Sequence, residues 1–208
     1  MKQFKFFKVM SVLGALFILF LIVSYGRTMQ TQGDVIENKT PVPAQFARQF
    51  SAVQARNRAE KMPLATFMSP DGRRVNWQVF EGQYLLVNFW ATWCGPCVVE
   101  LPSFDKLRQK FEGKGLEVIA ISLDTQRNQE QIKAFLRNRN IGEFSAYFDD
   151  AREVKSAIVM RGIPTTYLLD PQGNILYVFE GDAVWHSGVA VEFFEAVLAQ
   201  GVQHKYNQ

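Results

Sequence analysis

The two cysteines of this chain are separated by two residues and lie where a strand pattern gives way to a helix pattern. The unbroken apolar run at residues 84–91 predicts a buried strand that is covered on both faces. The segment Cys94-Gly95-Pro96-Cys97 follows closely, and Pro96 suits the first turn of a helix, where an N–H has no intrahelical partner. The sequence therefore predicts both cysteines at the start of a helix over residues 95–111, next to a central strand.

The spacing of the cysteines favours redox chemistry over a structural role. A disulfide that closes a two-residue loop constrains the unfolded chain little, so it would stabilise the fold little. A structural zinc site needs about four ligands, and the only histidines, His186 and His204, stand far from the pair. We therefore expect no metal and no cofactor. The helix N-terminus would stabilise a thiolate at Cys94, which would attack a partner's disulfide before Cys97 releases that partner.

The first 26 residues have the pattern of a membrane anchor. Three lysines lie within residues 1–8, and residues 9–26 carry no charged side chain. A spanning helix needs at least about 17 residues, so this second segment is long enough to cross a bilayer. Its basic flank predicts a single-pass protein of the cytoplasmic membrane, with residues 1–8 in the cytoplasm and the folded domain on the periplasmic side. A cleaved signal peptide is the alternative, although Ser24-Tyr25-Gly26 is a poor cleavage site.

Residues 27–61 are predicted to be a linker, because their composition is polar and offers little to bury. Within this segment Phe46, Phe50 and Val53 recur at helical spacing. Three interpretations remain for them: a spacer with helical bias, a short amphipathic helix that packs on the domain, or one that lies on the membrane surface.

The remaining residues, 62–208, are enough for one hydrophobic core and predict an α/β fold. The predicted elements are a hairpin around 69–72, strands at 84–91, 116–123, 144–148, 162–169 and 175–180, and helices at 95–111, 128–139, 153–160 and 187–200. A β-α-β unit comes first, an extra α-β piece follows, and an α-β-β-α unit closes the chain. This order predicts a mixed central sheet with helices on both faces.

Four short segments carry a family pattern: residues 88–97, Glu100-Leu101-Pro102, residues 162–166 and residues 170–173. Together they resemble the TlpA/ResA-like branch of the thioredoxin superfamily, whose members are membrane-anchored or periplasmic thiol–disulfide oxidoreductases of bacteria. The resemblance covers residues 65–200. It implies a thioredoxin-like fold that opens with a hairpin and contains a central α-β insertion over residues 125–148.

The resemblance also implies roles for individual residues. Pro164 is expected to be cis, to face the cysteines and to present neighbouring backbone to an incoming polypeptide. Asn88 stands where plain thioredoxins have a buried aspartate, and asparagine cannot titrate. Glu100 occupies the position that serves this purpose in the TlpA/ResA-like branch, so we hypothesise that partial burial raises its pKa and that it exchanges a proton with Cys97. The residues expected to contact substrate are Trp93, Gly95, Pro96, Ile163 and Thr165.

The expected function is a membrane-tethered thiol–disulfide oxidoreductase that reduces disulfides of exported proteins. By resemblance, the client is the haem-attachment segment of apocytochrome c during cytochrome c maturation, and the electron donor is a DsbD- or CcdA-like membrane protein. The alternatives are an oxidant or isomerase of the same fold, or a tethered binding or assembly factor without thiol turnover. A thiol peroxidase is disfavoured, because no Pro-x-x-x-Thr-x-x-Cys pattern surrounds Cys94.

A nucleic-acid partner is not expected. The formal net charge is +3, and the three lysines within residues 1–8 account for all of this excess. The rest of the chain is neutral and lacks the basic composition that a nucleic-acid surface requires.

Overall fold

The computed structural model describes residues 40–142, 144 and 146–206. Its helices are α1 (Ala44–Ala47), α2 (Gly95–Phe111), α3 (Gln129–Arg137), α4 (Glu153–Ala157) and α5 (Gly188–Tyr206), with a 3-10 helix at Trp77–Phe80. Its strands are β1 (Ala52–Ala55), β2 (Phe67–Met68), β3 (Arg74–Val75), β4 (Tyr84–Trp90), β5 (Leu116–Ser122), β6 (Tyr147–Phe148), β7 (Thr165–Leu169) and β8 (Ile175–Glu180). The predicted cytoplasmic segment 1–8, the predicted anchor 9–26 and residues 27–39 lie outside the described residues.

The apolar strand β4 lies at the centre of a mixed eight-stranded sheet with the order β1-β8-β7-β4-β5-β6-β2-β3. It pairs in parallel with β5 and antiparallel with β7. Helix α2 connects the two parallel strands, as a β-α-β unit requires. All six residues from Leu85 to Trp90 are buried, because neighbouring elements cover both faces of this strand. The predicted thioredoxin-like α/β fold with a mixed sheet is confirmed.

Successive side chains of β4 enter two different hydrophobic clusters, as expected for a strand buried on both faces. Leu86 belongs to a cluster that includes residues of α2 and α5. Leu85 and Val87 belong to a second cluster, with the 3-10 helix and Val154 of α4. The sheet therefore separates two cores, and helices cover both of its faces.

The opening hairpin and the central insertion have the predicted order but shorter elements. β2 and β3 pair antiparallel around the turn at residues 69–72, with only two residues in each strand. The insertion consists of α3 and β6, and β6 extends the sheet by pairing in parallel with β5. A capping box starts α3, because the side chains of Asn128 and Gln131 each accept a hydrogen bond from the other residue's backbone N–H.

The predicted domain boundary at residue 62 is wrong, because residues 40–61 are part of the folded domain. β1 pairs antiparallel with β8 and forms one edge of the sheet. Phe46 of α1 is fully buried and Phe50 is 9 % exposed, and both belong to the cluster beneath α5. Their helical spacing was visible in the sequence, but the polar composition around them hid the burial of two aromatic rings. Of the three interpretations of this segment, packing on the domain is correct, but the predicted helix is not continuous: α1 has only four residues, and Val53 lies in β1.

The last helix is longer than predicted: it spans Gly188–Tyr206, whereas the sequence pattern predicted residues 187–200. Its helical pattern predicts Phe194 and Val197 on the inward face, and both are buried. Phe193, which that pattern does not place there, is also buried, with 2 % exposed, and packs beside Phe194. Among the residues that the structure describes, no helix combines the length and the apolar character needed to span a membrane.

Replacing Phe46 by alanine should lower the free energy of unfolding by about 3–5 kcal/mol, because the loss of a fully buried ring leaves a cavity. Urea denaturation of the full chain measures this change. Leu64→Ala is the control, since Leu64 is 69 % exposed and should change stability by no more than about 0.5 kcal/mol. Equal effects of the two substitutions would contradict the packing of this segment on the domain.

Candidate active site

The end of β4 and the start of α2 place the cysteine pair at a helix N-terminus, as predicted. Cys94 is the N-cap residue, and its Sγ accepts a hydrogen bond from the Cys97 backbone N–H over 3.3 Å. Pro96 lies in the first turn, where it removes no intrahelical hydrogen bond. The Cys94 N–H donates to the Ala91 carbonyl over 3.1 Å, which closes the loop between strand and helix. The unpaired N–H groups of this turn and the helix dipole favour negative charge on Cys94.

The structure contains the oxidised form of the pair, with a disulfide bond between Cys94 and Cys97. The two sulfur-bearing residues differ in accessibility: Cys94 is 6 % exposed, and Cys97 is completely buried. A bulky partner can therefore approach only Cys94. This asymmetry agrees with the predicted order, in which Cys94 is the nucleophile and Cys97 resolves the mixed disulfide.

A loop before β7 lies against the exposed side of the disulfide. The Ile163–Pro164 peptide bond is cis, as the resemblance implied. The Ile163 carbonyl oxygen is 3.7 Å from Cys94 Sγ. Pro164 itself is buried, whereas Ile163 is half-buried. The backbone next to the proline is therefore the part of this loop that lies beside the reactive sulfur.

The residues predicted to contact substrate separate into exposed and buried ones. Trp93 is 71 % exposed, and Gly95 and Pro96 are also exposed beside the disulfide. Thr165 is 2 % exposed, and its hydroxyl donates to the Gly162 carbonyl over 2.7 Å. The Thr165 side chain therefore does not lie on the surface beside the disulfide: at the first residue of β7, it stabilises the loop from inside.

Glu100 lies one helical turn after Cys97 and is 2 % exposed. Its carboxylate accepts three hydrogen bonds from distant parts of the chain. Asn88 Nδ2 donates to Oε1 over 2.8 Å, while the Ala183 N–H and Trp185 Nε1 donate to Oε2 over 3.1 and 2.6 Å. Glu100 is therefore not an ordinary surface glutamate, because these donors and the surrounding core enclose its carboxyl group.

Burial changes the pKa of Glu100 more than its hydrogen bonds do. Desolvation penalises the charged form and raises the pKa of Glu100 from 4.5 to about 7, and the negative charge of Asp182 adds to the rise. Donors from Trp185, Asn88 and Ala183 lower the pKa but do not offset the burial. At neutral pH, Glu100 therefore exists in both protonation states, which is what a group that accepts and returns a proton requires.

Two residues of the site were missed by the sequence analysis. No sequence motif includes Trp185, but its side chain is fully buried and its indole N–H donates to Glu100, 85 positions earlier in the chain. A buried tryptophan needs a partner for its indole N–H, but no local pattern identifies that partner. The second missed residue is Asp124, which is 3 % exposed.

Asp124 holds the loop that precedes Cys94. Its carboxylate accepts from the backbone N–H and hydroxyl of Thr92 over 2.9 and 2.7 Å, and from the Ser122 hydroxyl over 2.6 Å. Arg127 Nε also donates to the Thr92 hydroxyl over 3.0 Å. The signal that would have found this cluster is the position of polar residues just beyond two adjacent parallel strands, where binding sites of α/β sheets lie.

Within the parts of the chain that the structure describes, no group of three His, Cys, Asp or Glu side chains is arranged to hold a metal ion.

Comparison with known proteins gives consistent results. The model of the AhpC/TSA family matches residues 58–178. The thiol-disulfide oxidoreductase ResA of Bacillus cereus is 27 % identical over 133 residues, which cover 64 % of this chain and 75 % of that protein. ResA of Bacillus subtilis is 25 % identical over 132 residues, 64 % of this chain and 72 % of that protein.

A similar solved structure is a Chlorobium tepidum protein assigned as the thiol:disulfide interchange protein DsbE. It has a TM-score of 0.59 and 25 % sequence identity. The superposition covers 71 % of this chain and 99 % of that one.

Proposed function

This chain belongs to the AhpC/TSA family and is a thiol–disulfide oxidoreductase, and on that premise we propose that it reduces disulfides of exported proteins. The observation that carries the proposal is the asymmetric pair at the start of α2. Cys94 caps the helix beside the Ile163 carbonyl, and Cys97 is buried one helical turn before Glu100. One sulfur is placed for attack from outside, and the other is placed for an internal reaction.

In the proposed cycle two electrons pass from the enzyme to the client. The Cys94 thiolate attacks one sulfur of the client disulfide, and the client's other sulfur leaves as a thiolate. The Cys97 thiol then loses its proton and attacks Cys94, which forms the Cys94–Cys97 disulfide and releases the second client sulfur. The described structure corresponds to the enzyme at the end of this cycle. A donor dithiol must restore the reduced pair, itself becoming a disulfide.

Glu100 is proposed to accept the proton of Cys97 in the resolving step. Cys97 is completely buried, so its proton needs an acceptor inside the protein. Glu100 is three positions further along the same helix, which places both side chains on one face. Its pKa of about 7 allows it to take up the proton and release it later at neutral pH. Asn88 holds the carboxyl group but has no proton to exchange.

The cellular setting is proposed from the sequence pattern and the resemblance. Residues 9–26 would anchor the protein in the cytoplasmic membrane, with the described domain on the periplasmic side. Because that compartment is oxidising, the reduced pair must be regenerated across the membrane. A DsbD- or CcdA-like donor fits this need, and apocytochrome c with its disulfide-bonded haem-attachment segment fits as a client.

The reductase direction predicts a low reduction potential. Dithiol proteins of this type span about −270 to −120 mV, and reductants lie at the negative end. We expect equilibration of the full chain with glutathione to give a value nearer to −270 mV, with Cys94→Ser showing no transition. A potential near −120 mV would instead support the oxidant or isomerase.

Thiol turnover predicts that Cys97→Ser accumulates mixed disulfides through Cys94, because the resolving sulfur is missing. The measurement is isolation of the variant from cells, followed by identification of proteins that a reductant releases. Cys94→Ser is the matched control and should release none. If Cys97→Ser formed no mixed disulfides and still retained wild-type function, a binding or assembly factor would be the better explanation.

The proton transfer predicts that Glu100→Gln alters the titration of Cys97, measured by alkylation rate against pH in the Cys94→Ser background. With Glu100 present, two interacting groups should titrate in two steps, and glutamine should leave one step. Loss of the acceptor should slow client release about a hundredfold at pH 7. Glu112→Gln, at the exposed end of the same helix, is the control. An unchanged titration in Glu100→Gln would rule out the transfer.

A further inference from the structure

The N-terminal segment that the sequence analysis assigned to a linker contacts the loop that holds Glu100. We call Phe46, Gln49 and Phe50 the brace. Gln49 Oε1 accepts a hydrogen bond from the Val184 N–H over 2.9 Å. The rings of Phe46 and Phe50 lie 5.7 and 5.3 Å from the Trp185 ring, measured between centroids. The brace therefore fixes two consecutive residues of the loop at residues 182–185.

The same loop provides two of the three hydrogen-bond donors to Glu100. The Ala183 N–H and Trp185 Nε1 both donate to Oε2. Val184 lies between them, and its N–H donates to the brace. Three successive residues therefore connect the brace to the carboxyl group, and a movement of Val184 displaces the donor on either side of it.

The beginning of the loop is held by the same segment. Ser51 donates its N–H and its hydroxyl to the Glu180 carbonyl, each over 2.8 Å. Gly181 has a φ of +105°, and a Cβ at this position would lie 3.2 Å from the Ser51 nitrogen. Glycine is therefore needed both for the backbone conformation and for the close approach of the N-terminal segment.

We propose that the brace is a positioning element for proton exchange at the active site: it holds the Ala183 and Trp185 donors on Glu100 and so sets how readily the carboxyl group takes up a proton. The effect on catalysis rests on the proposed role of Glu100, whereas the effect on the carboxyl group itself does not. The two phenylalanines of the brace and the two cysteines belong to different hydrophobic clusters. The influence of the brace passes through the loop.

The sign of the effect follows from the groups that face Glu100. The brace is uncharged, and from the sheet Asn88 presents a neutral amide group that donates to Glu100. Asp182 in the loop is negative and raises the pKa of Glu100. The loop donors favour the charged form and lower this pKa. Loosening those donors should therefore raise the pKa, whereas entry of water would lower it.

The test removes the acceptor of the Val184 N–H. Gln49→Ala and Gln49→Met both abolish this hydrogen bond, and methionine keeps the length of the side chain. Gln49 is only half-buried, so both variants should fold. The pKa of Glu100 is read from the pH dependence of its carboxyl ¹³C chemical shift in the full chain, assigned with Glu100→Gln. We expect a rise of about half a unit or more in both variants.

Gln54→Ala is the matched control. Gln54 is also a half-buried glutamine of the N-terminal segment, but its Nε2 donates to Glu180 Oε1 over 3.0 Å and not to the 182–185 loop. The pKa of Glu100 should stay at the wild-type value in this variant. An unchanged or lowered pKa in both Gln49 variants would overturn the proposal, as would an equal rise in Gln54→Ala.

A second measurement separates this inference from the proposed function. In the Cys94→Ser background, the step of the Cys97 alkylation profile that reports Glu100 should move to higher pH in Gln49→Ala, by the same shift as the Glu100 pKa. If Glu100→Gln leaves that profile unchanged, the proton transfer fails while the NMR result still decides whether the brace acts on Glu100. If Glu100→Gln alters the profile and Gln49→Ala changes neither readout, only the brace is refuted.

Discussion

The start of helix α2 is the point on which both the fold and the chemistry depend. The buried strand β4 leads into this turn, and the turn has backbone N–H groups that lack helical partners. Cys94 occupies the capping position. Its sulfur faces the exterior and accepts a hydrogen bond from one of these N–H groups, that of Cys97. Cys97, one turn further on, is directed into the protein. The same helix geometry therefore creates an outer and an inner sulfur from two chemically identical residues.

Because the Cys97 sulfur is buried, a proton that it loses must first pass to a group inside the protein. A proton on buried Cys97 cannot pass directly to solvent, and a buried carboxyl group is costly unless donors stabilise it. The protein places Glu100 within reach along the same helix and surrounds it with donors from β4 and from the 182–185 loop. Burial and hydrogen bonding act in opposite directions on its pKa, and their balance leaves the group near neutrality. That balance depends on how firmly the donors are held.

Several features could be predicted because they depend on neighbouring residues. The buried strand, the helix with its proline in the first turn, the turn at residues 170–174 and the pattern of the four family segments are all local, and the structure contains each of them. The segment 40–61 could not be assigned in this way. Its mean composition is polar, and its contribution to stability comes from Phe46 and Phe50, which pack against each other and against aromatic rings 129 or more positions away. Local composition and periodicity do not show that two isolated aromatic residues in a polar segment are buried.

The sequence alone determined the reactive pair and its place at the start of a helix, because strand and helix periodicity and the N-terminal preference of proline act over a few residues. Only the tertiary structure decided the environment of Glu100. Its donors come from two separated parts of the chain, strand β4 and the 182–185 loop, and whether a carboxyl group is buried depends on what packs over it. It also decided that Thr165 points inward and that the N-terminal segment braces the loop behind the site. Both are properties of packing between distant residues, which local sequence patterns do not specify.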